Sequence, residues 1–292
     1  MRRFPAGAAL LACAACASSP RTAPSGTPDA GRPPEAPPPP ALAFTLAAPA
    51  IATYEFADTT NVTIEAGATR IDVLAEASVT SELELTPAAD GLRATVRVLS
   101  VTGGATNSQG SGVTVDPADT PGPAQLAVSS TGEVTIVRKP EFASELQRIV
   151  APAELYRVFF LRLPGRDVAR GVAWTDTVAV SDSNQGLDSE TTSIVTSVWE
   201  RDTVVAGRTL NVITSRITTT ASASGMADNV EIGQRMQGES TALTLWDPER
   251  HVIVERHARG EATGTTDLPS MNVSSLPTTS VATTHLWLRS FR

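Results

Sequence analysis

From residue 172 to residue 289 the chain repeats one pattern: runs of Thr, Val, Ser and Ile in short-period alternation, cut by turn residues at hairpin spacing. Successive side chains of a strand point to opposite faces, so a period of two with one apolar face marks half-buried sheet. The runs fall at about 172–182, 191–204, 208–222, 230–246, 251–265 and 278–289, with turns that include Ala206-Gly207 and Asp247-Pro248-Glu249-Arg250. Upstream, 83–86 and 92–101 flank Asp90-Gly91, and 125–129 and 133–138 flank Thr131-Gly132, two further hairpin signals. The expectation is a mainly β fold, a long-stranded antiparallel meander forming a curved sheet, a half-barrel or two packed sheets.

One segment breaks the pattern. Across about 140–163 the apolar spacing turns helical: Phe142, Leu146, Ile149 and Val150 share one face of a helix opened by Pro140, and Ala151-Pro152 starts a second that carries Leu155, Tyr156, Val158, Phe159 and Phe160. Four of the thirteen aromatic residues sit here, so this insert buries much apolar surface for its length. It reads either as a core element packed on the sheet or as a lid, with Phe142, Leu146, Leu155, Phe159 and Phe160 facing an apolar ligand.

The first sixteen residues, MRRFPAGAALLACAAC, read as a lipoprotein export signal. Arg2 and Arg3 precede a short apolar run, and Leu10-Leu11-Ala12-Cys13 forms a lipobox whose cysteine carries the lipid; Cys16 is the alternative anchor. The run is far short of the ~20 residues a transmembrane helix needs. Residues 17–41, with Pro37 to Pro40 in sequence, are expected to be a disordered, extended tether, leaving 42–292 as the globular, β-rich domain. The Ala14 that follows Cys13 is not the aspartate that commonly retains such lipoproteins at the inner membrane, so the resemblance to sorted lipoproteins implies the outer membrane. The expected place is therefore the cell envelope, lipid-anchored to the outer membrane and facing the periplasm or the surface.

Composition narrows the chemistry. The chain carries −8, and residues 1–41 hold four Arg against Asp29 and Glu35, so 42–292 carry −10, with Lys139 the sole lysine. Nucleic acid is an unsuitable partner for such a surface, since phosphate binding needs clustered Lys and Arg. No cysteine remains beyond Cys16, which removes thiolate catalysis and Cys-ligated metal from the globular part. His251, Ile253, Glu255 and His257 alternate on a predicted strand and would share a face, but zinc needs three or four ligands, so they read as surface residues. The 182–190 stretch, DSNQGLDSE, has oxygen ligands at alternate positions but misplaces the glycine of a calcium loop and reads as an inter-strand loop. Gly103 to Gly112 read as a flexible loop, because no Gly-Lys follows them and no helix opens there. No metal and no cofactor are expected, and no G-x-S-x-G elbow occurs.

LPGRDVARGVAW, with Leu163-Pro164, Val168, Gly171 and Trp174, follows a Gly-Glu-Val strand and an amphipathic helix and precedes a long-stranded repeat. In this order of elements the chain resembles an uncharacterised family of bacterial envelope lipoproteins. The resemblance implies location and architecture, and no activity. A shape-level analogy links it to half-barrel lipoprotein carriers, whose curved sheet is closed by helices. The functional expectation is a non-enzymatic envelope protein that binds or scaffolds, with an envelope protein as partner. The alternatives are a carrier of a lipid-like apolar ligand and an unrecognised envelope hydrolase.

Overall fold

A computed structural model describes residues 42–292 except 117, 148, 151, 185, 228 and 229. The export signal and tether expected over 1–41, with Cys13 and Cys16, lie outside the described residues. Alternation governs the strands as expected. In β1 (Ala50–Ala66) the even-numbered side chains point inward: Ala52, Tyr54, Phe56, Val62 and Ile64 are buried. In β2 (Thr69–Ala88) the odd-numbered ones do so, from Ile71 to Leu85.

After β3 (Gly91–Asn107) come the short β4 (Gly112–Thr114), β5 (Ala124–Ser129) and β6 (Val134–Arg138). Beyond the helical segment follow β7 (Ala173–Asn184), β8 (Leu187–Val205), β9 (Arg208–Ala227), β10 (Val230–Asp247), β11 (Val252–Leu268) and β12 (Val273–Phe291). All are antiparallel in one sheet of order β6-β5-β3-β2-β1-β12-β11-β10-β9-β8-β7, with β4 paired on β3. The fold is an eleven-strand meander curled into a half-barrel. Its spatial order is a cyclic shift of its chain order, because β1 and β12 pair in the middle of the sheet. Ile51 and Arg292 exchange both backbone hydrogen bonds there, at 2.7 and 3.0 Å. The two edge strands, β6 and β7, are consecutive in sequence, and residues 139–172 span the gap between them.

The curl has a local cause at β10 and β11. Gly238 lies opposite Ala262 and Gly260 opposite Ser240. A Cβ on either glycine would stand 2.8 Å from the Cβ of its partner residue, so this tight bend needs inward positions without side chains.

Three layers fill the inner face. At one end, here the base, the β2–β3, β5–β6, β8–β9 and β10–β11 turns meet the end of β12, and the largest apolar cluster lies between the sheet and the helical segment. At the far end Val62, Ile64, Ile71, Val73, Ile232, Leu268 and Leu276 form a second cluster. Between them two small apolar clusters, around Val195 and around Met236, alternate with inward hydroxyls that satisfy one another, Ser193 with Thr219 at 2.6 Å and Ser197 with Ser215 at 2.8 Å, and at the far end Thr266 bonds Thr278 at 2.8 Å.

Three local expectations are corrected. The helical segment holds only single turns, α1 (Ser144–Gln147) and α2 (Pro152–Arg157). Phe142, Phe159 and Phe160 flank these turns, because Phe159, Phe160, Leu161 and Leu163 are all buried and leave no polar face for a longer helix. Gly103 and Gly104 belong to β3, paired with Ala77 and Glu76, and only residues 108–111 form the loop. The 182–190 stretch is a hairpin, with Ser183 opposite Asp188 and Asn184 opposite Leu187.

Candidate functional site

The helical segment is positioned from its two ends. Lys139 Nζ reaches Asp182 of β7 at 2.9 Å, spanning the gap between the edges. At the other end the buried Arg162 binds Asp176 at 2.6 Å, the Trp174 indole donates to the Arg162 carbonyl at 3.1 Å, and Leu163 N donates to Thr131 O at 2.9 Å. Between these fastenings the described backbone bonds are local: Gln147 N to Ala143 O, Ile149 N and Val150 N to Leu146 O, Phe160 N to Arg157 O. Side chains, more than sheet pairing, hold the segment in place.

Those side chains are apolar and deeply placed. Phe142, Leu146, Leu155, Phe159 and Phe160 are all buried, and all join one cluster with Val79, Leu83, Leu92, Val96 and Leu126 of the sheet. The Phe159 ring lies 5.4 Å from Tyr54 of β1. Phe160 packs edge-on against Phe44 at 5.4 Å, and Phe44 against Trp246 at 4.9 Å. Phe142 meets Tyr156 at 6.0 Å. The five residues expected from sequence to face an apolar ligand are thus brought together, and here they face the sheet.

Two phenols mark this layer. The Tyr54 hydroxyl donates to Ile253 O at 2.8 Å; burial first, and the Asp247 charge second, hold its pKa far above that of an ordinary tyrosine. Tyr156 is fully buried, its hydroxyl has no hydrogen-bond partner among the described residues, and burial again raises its pKa. A buried unpaired hydroxyl costs roughly 1–3 kcal/mol, so among the described residues this is an uncompensated polar group within the apolar layer.

The sequence reading missed Asp58. It lies on the inner face of β1 between Phe56 and Thr60, accepts a hydrogen bond from Thr60 Oγ1 at 3.1 Å, and burial pushes its carboxyl up to about 6 against that bond. Among the described residues no cation lies within ion-pair distance of it. Its signal was parity: with Ala52, Tyr54 and Phe56 inward, residue 58 must follow.

The histidines do not assemble a site. His251 is in the turn before β11, with positive φ, and its Nδ1 is 2.8 Å from Ala43 O. A bulge opposite Leu245 and Trp246 shifts the register, so Ile253 is buried inside while Glu255 pairs with His285 at 2.8 Å on the outer face. The expected shared face of His251, Ile253, Glu255 and His257 therefore does not exist. His257 and His285 are neighbours, ring centroids 5.4 Å apart, but no group of three metal-capable side chains occurs among the described residues. A polar groove of about 660 Å³ also crosses β9–β11, with Arg216, Glu239, Arg259 and Glu261 in its lining.

No family model matches this chain. No curated protein matches it either. Among solved structures, a loop L8 deletion mutant of OmpT, an outer membrane protein of Vibrio cholerae, aligns over 82% of this chain and 100% of its own at 8% identity, with a TM-score of 0.17.

Proposed function

We propose that this chain is a non-enzymatic, lipid-anchored protein of the cell envelope that binds an apolar, acyl-chain-like ligand against the base of its half-barrel. The observation that carries this reading is the manner in which the concave apolar face is covered. The cover is a segment with helices of four and six residues, too short to be stable alone, fastened at its two ends and seated by aromatic side chains. An apolar ligand of similar volume replaces those contacts without breaking any strand pairing, and the Tyr156 hydroxyl then gains an acceptor in a ligand carbonyl or phosphate. The lipobox at Cys13 and the resemblance to envelope lipoproteins support anchoring and outer-membrane location.

Mass spectrometry of the full chain, purified from membranes, tests both parts. A denaturing spectrum reads the covalent anchor on Cys13 or Cys16. A native spectrum in the presence of an envelope lipid extract reads any non-covalent ligand. The expected result is a stoichiometric lipid adduct under native conditions, weakened in Phe159→Leu with circular dichroism unchanged. Absence of an adduct from the wild-type chain at every lipid excess overturns the ligand reading, whatever the variant does. The groove across β9–β11 favours a second reading, a scaffold that holds a polar segment of an envelope protein on its outer face.

A further inference from the structure

The β8–β9 hairpin outgrows the sheet. The β7 register on β8 begins with Ala173 opposite Val198, and a single loop bond, Gly171 N to Trp199 O, lies beyond it. The β10 register on β9 stops at Trp246 opposite Asn211. Past those points Thr203–Val205 pair only with Arg208–Leu210, up to a turn in which Ala206 and Gly207 both have positive φ. A two-stranded projection is marginal in water, and a polar tip is the ordinary expectation. This tip is Val204-Val205-Ala206-Gly207, and Val204 is 68% exposed, with Val137 at 66% the most exposed of the large apolar side chains among the described residues, and Val205 is at 43%. Its flanking charges are mostly engaged: Asp202 accepts from Trp199 and Asn211 and pairs with Arg170, and Arg201 lies 3.7 Å from Glu200.

The projection is braced in one direction. Arg208 binds Asp247 at 2.9 Å and Glu249 at 3.1 Å, fixing the hairpin to the β10–β11 turn. The same turn receives the incoming chain, because His251 holds Ala43 O and its own N–H bonds Asp247 O. Residue 42 and the apolar tip therefore leave from one end of the half-barrel, the end that also carries the helical segment.

We infer that the Val204-Val205 hairpin tip is a membrane contact that seats the base of the half-barrel on the lipid surface to which the N-terminus is tied. This rests on the lipid anchor proposed above. The 28 residues between Cys13 and Leu42 reach at most about 100 Å, which keeps the tip at high effective concentration near the bilayer. Two valines bind a bilayer weakly on their own, but under that restraint a weak contact is populated, and it opens the helical end toward lipid. The contact is apolar, so screening leaves it unchanged.

The test places a tryptophan at the tip, by Val204→Trp in the full chain, reconstituted in phosphatidylethanolamine and phosphatidylglycerol vesicles with or without bromine-labelled acyl chains. Ile194→Trp, at a 50% exposed position on the outer face of β8 away from the base, is the control. Fluorescence in excess of wild type should fall at least about twofold with brominated lipid for Val204→Trp, stay level for Ile194→Trp, and ignore salt at about 0.5 M. Equal quenching at both positions, or none for Val204→Trp in a chain whose denatured mass carries the anchor, overturns the inference. Quenching for Val204→Trp in a chain that lacks the anchor mass keeps the hairpin contact and overturns the anchor instead.

Discussion

Asp58 is the place where a single atom exchange should change stability most informatively. Its carboxyl titrates near 6 in the folded chain against an ordinary 3.8, because burial penalises the charged form more than the Thr60 hydroxyl compensates. Between those two values the folded state binds more protons than the unfolded state, so stability falls as pH rises through the window and the full penalty is present above it. A shift of about two units corresponds to about 3 kcal/mol, reduced to about half by the residual solvent contact of this side chain. Asp58→Asn keeps the shape, keeps an oxygen for Thr60 to donate to, and removes the charge. Urea unfolding followed by tryptophan fluorescence from pH 4 to 8 should show the variant more stable than wild type by about 1.5 kcal/mol at pH 8, with the difference closing toward pH 4. A difference that does not vary with pH, or a variant less stable than wild type at pH 8, refutes the argument that desolvation of this carboxylate sets its pKa.

The fastenings of the helical segment give two more expectations. Asp176→Ala leaves the Arg162 guanidinium buried without its partner and should cost about 3–5 kcal/mol in chemical denaturation, whereas Arg162→Met with Asp176→Leu should restore most of it. Gly132→Ala places a Cβ 2.0 Å from Leu161 O and 2.8 Å from the Phe44 ring at a φ of +79°, so thermal unfolding should show a loss of several degrees, corresponding to more than about 2 kcal/mol.

Local pattern carried much of the fold. The six runs after residue 172 are the six strands β7–β12, and Asp90-Gly91 and Thr131-Gly132 both stand at hairpin turns, because alternation and turn chemistry are properties of neighbouring residues. The pairing of β1 with β12 is not local, and nothing in either strand announces it. Helical spacing over 140–163 overstated the helix, since the apolar residues flanking α2 insert into the core as extended chain. The bulge at Leu245 and Trp246 separated Ile253 from Glu255, which no period-two count detects. Of the candidate site, the five apolar residues were legible as a group from their composition. Asp58 was not, because a polar residue among Thr and Asn reads as outward unless the strand's parity is followed from Tyr54.

The pairing of β1 with β12 also governs how the chain acquires its structure. As it emerges from synthesis or export N-terminus first, β1 has β2 on one side and an empty edge of seventeen residues on the other, which stays open until the last strand arrives. Unpaired edges of that length attract other chains, and pairings so distant in sequence form slowly. The C-terminal strand is therefore the keystone of the sheet: a chain cut before β12 loses its middle and is left as two half-sheets joined along the chain only through residues 139–172. A circular permutant that links Arg292 to Leu42 through an added loop and opens the chain between β6 and β7 would instead lay the eleven strands down in their spatial order.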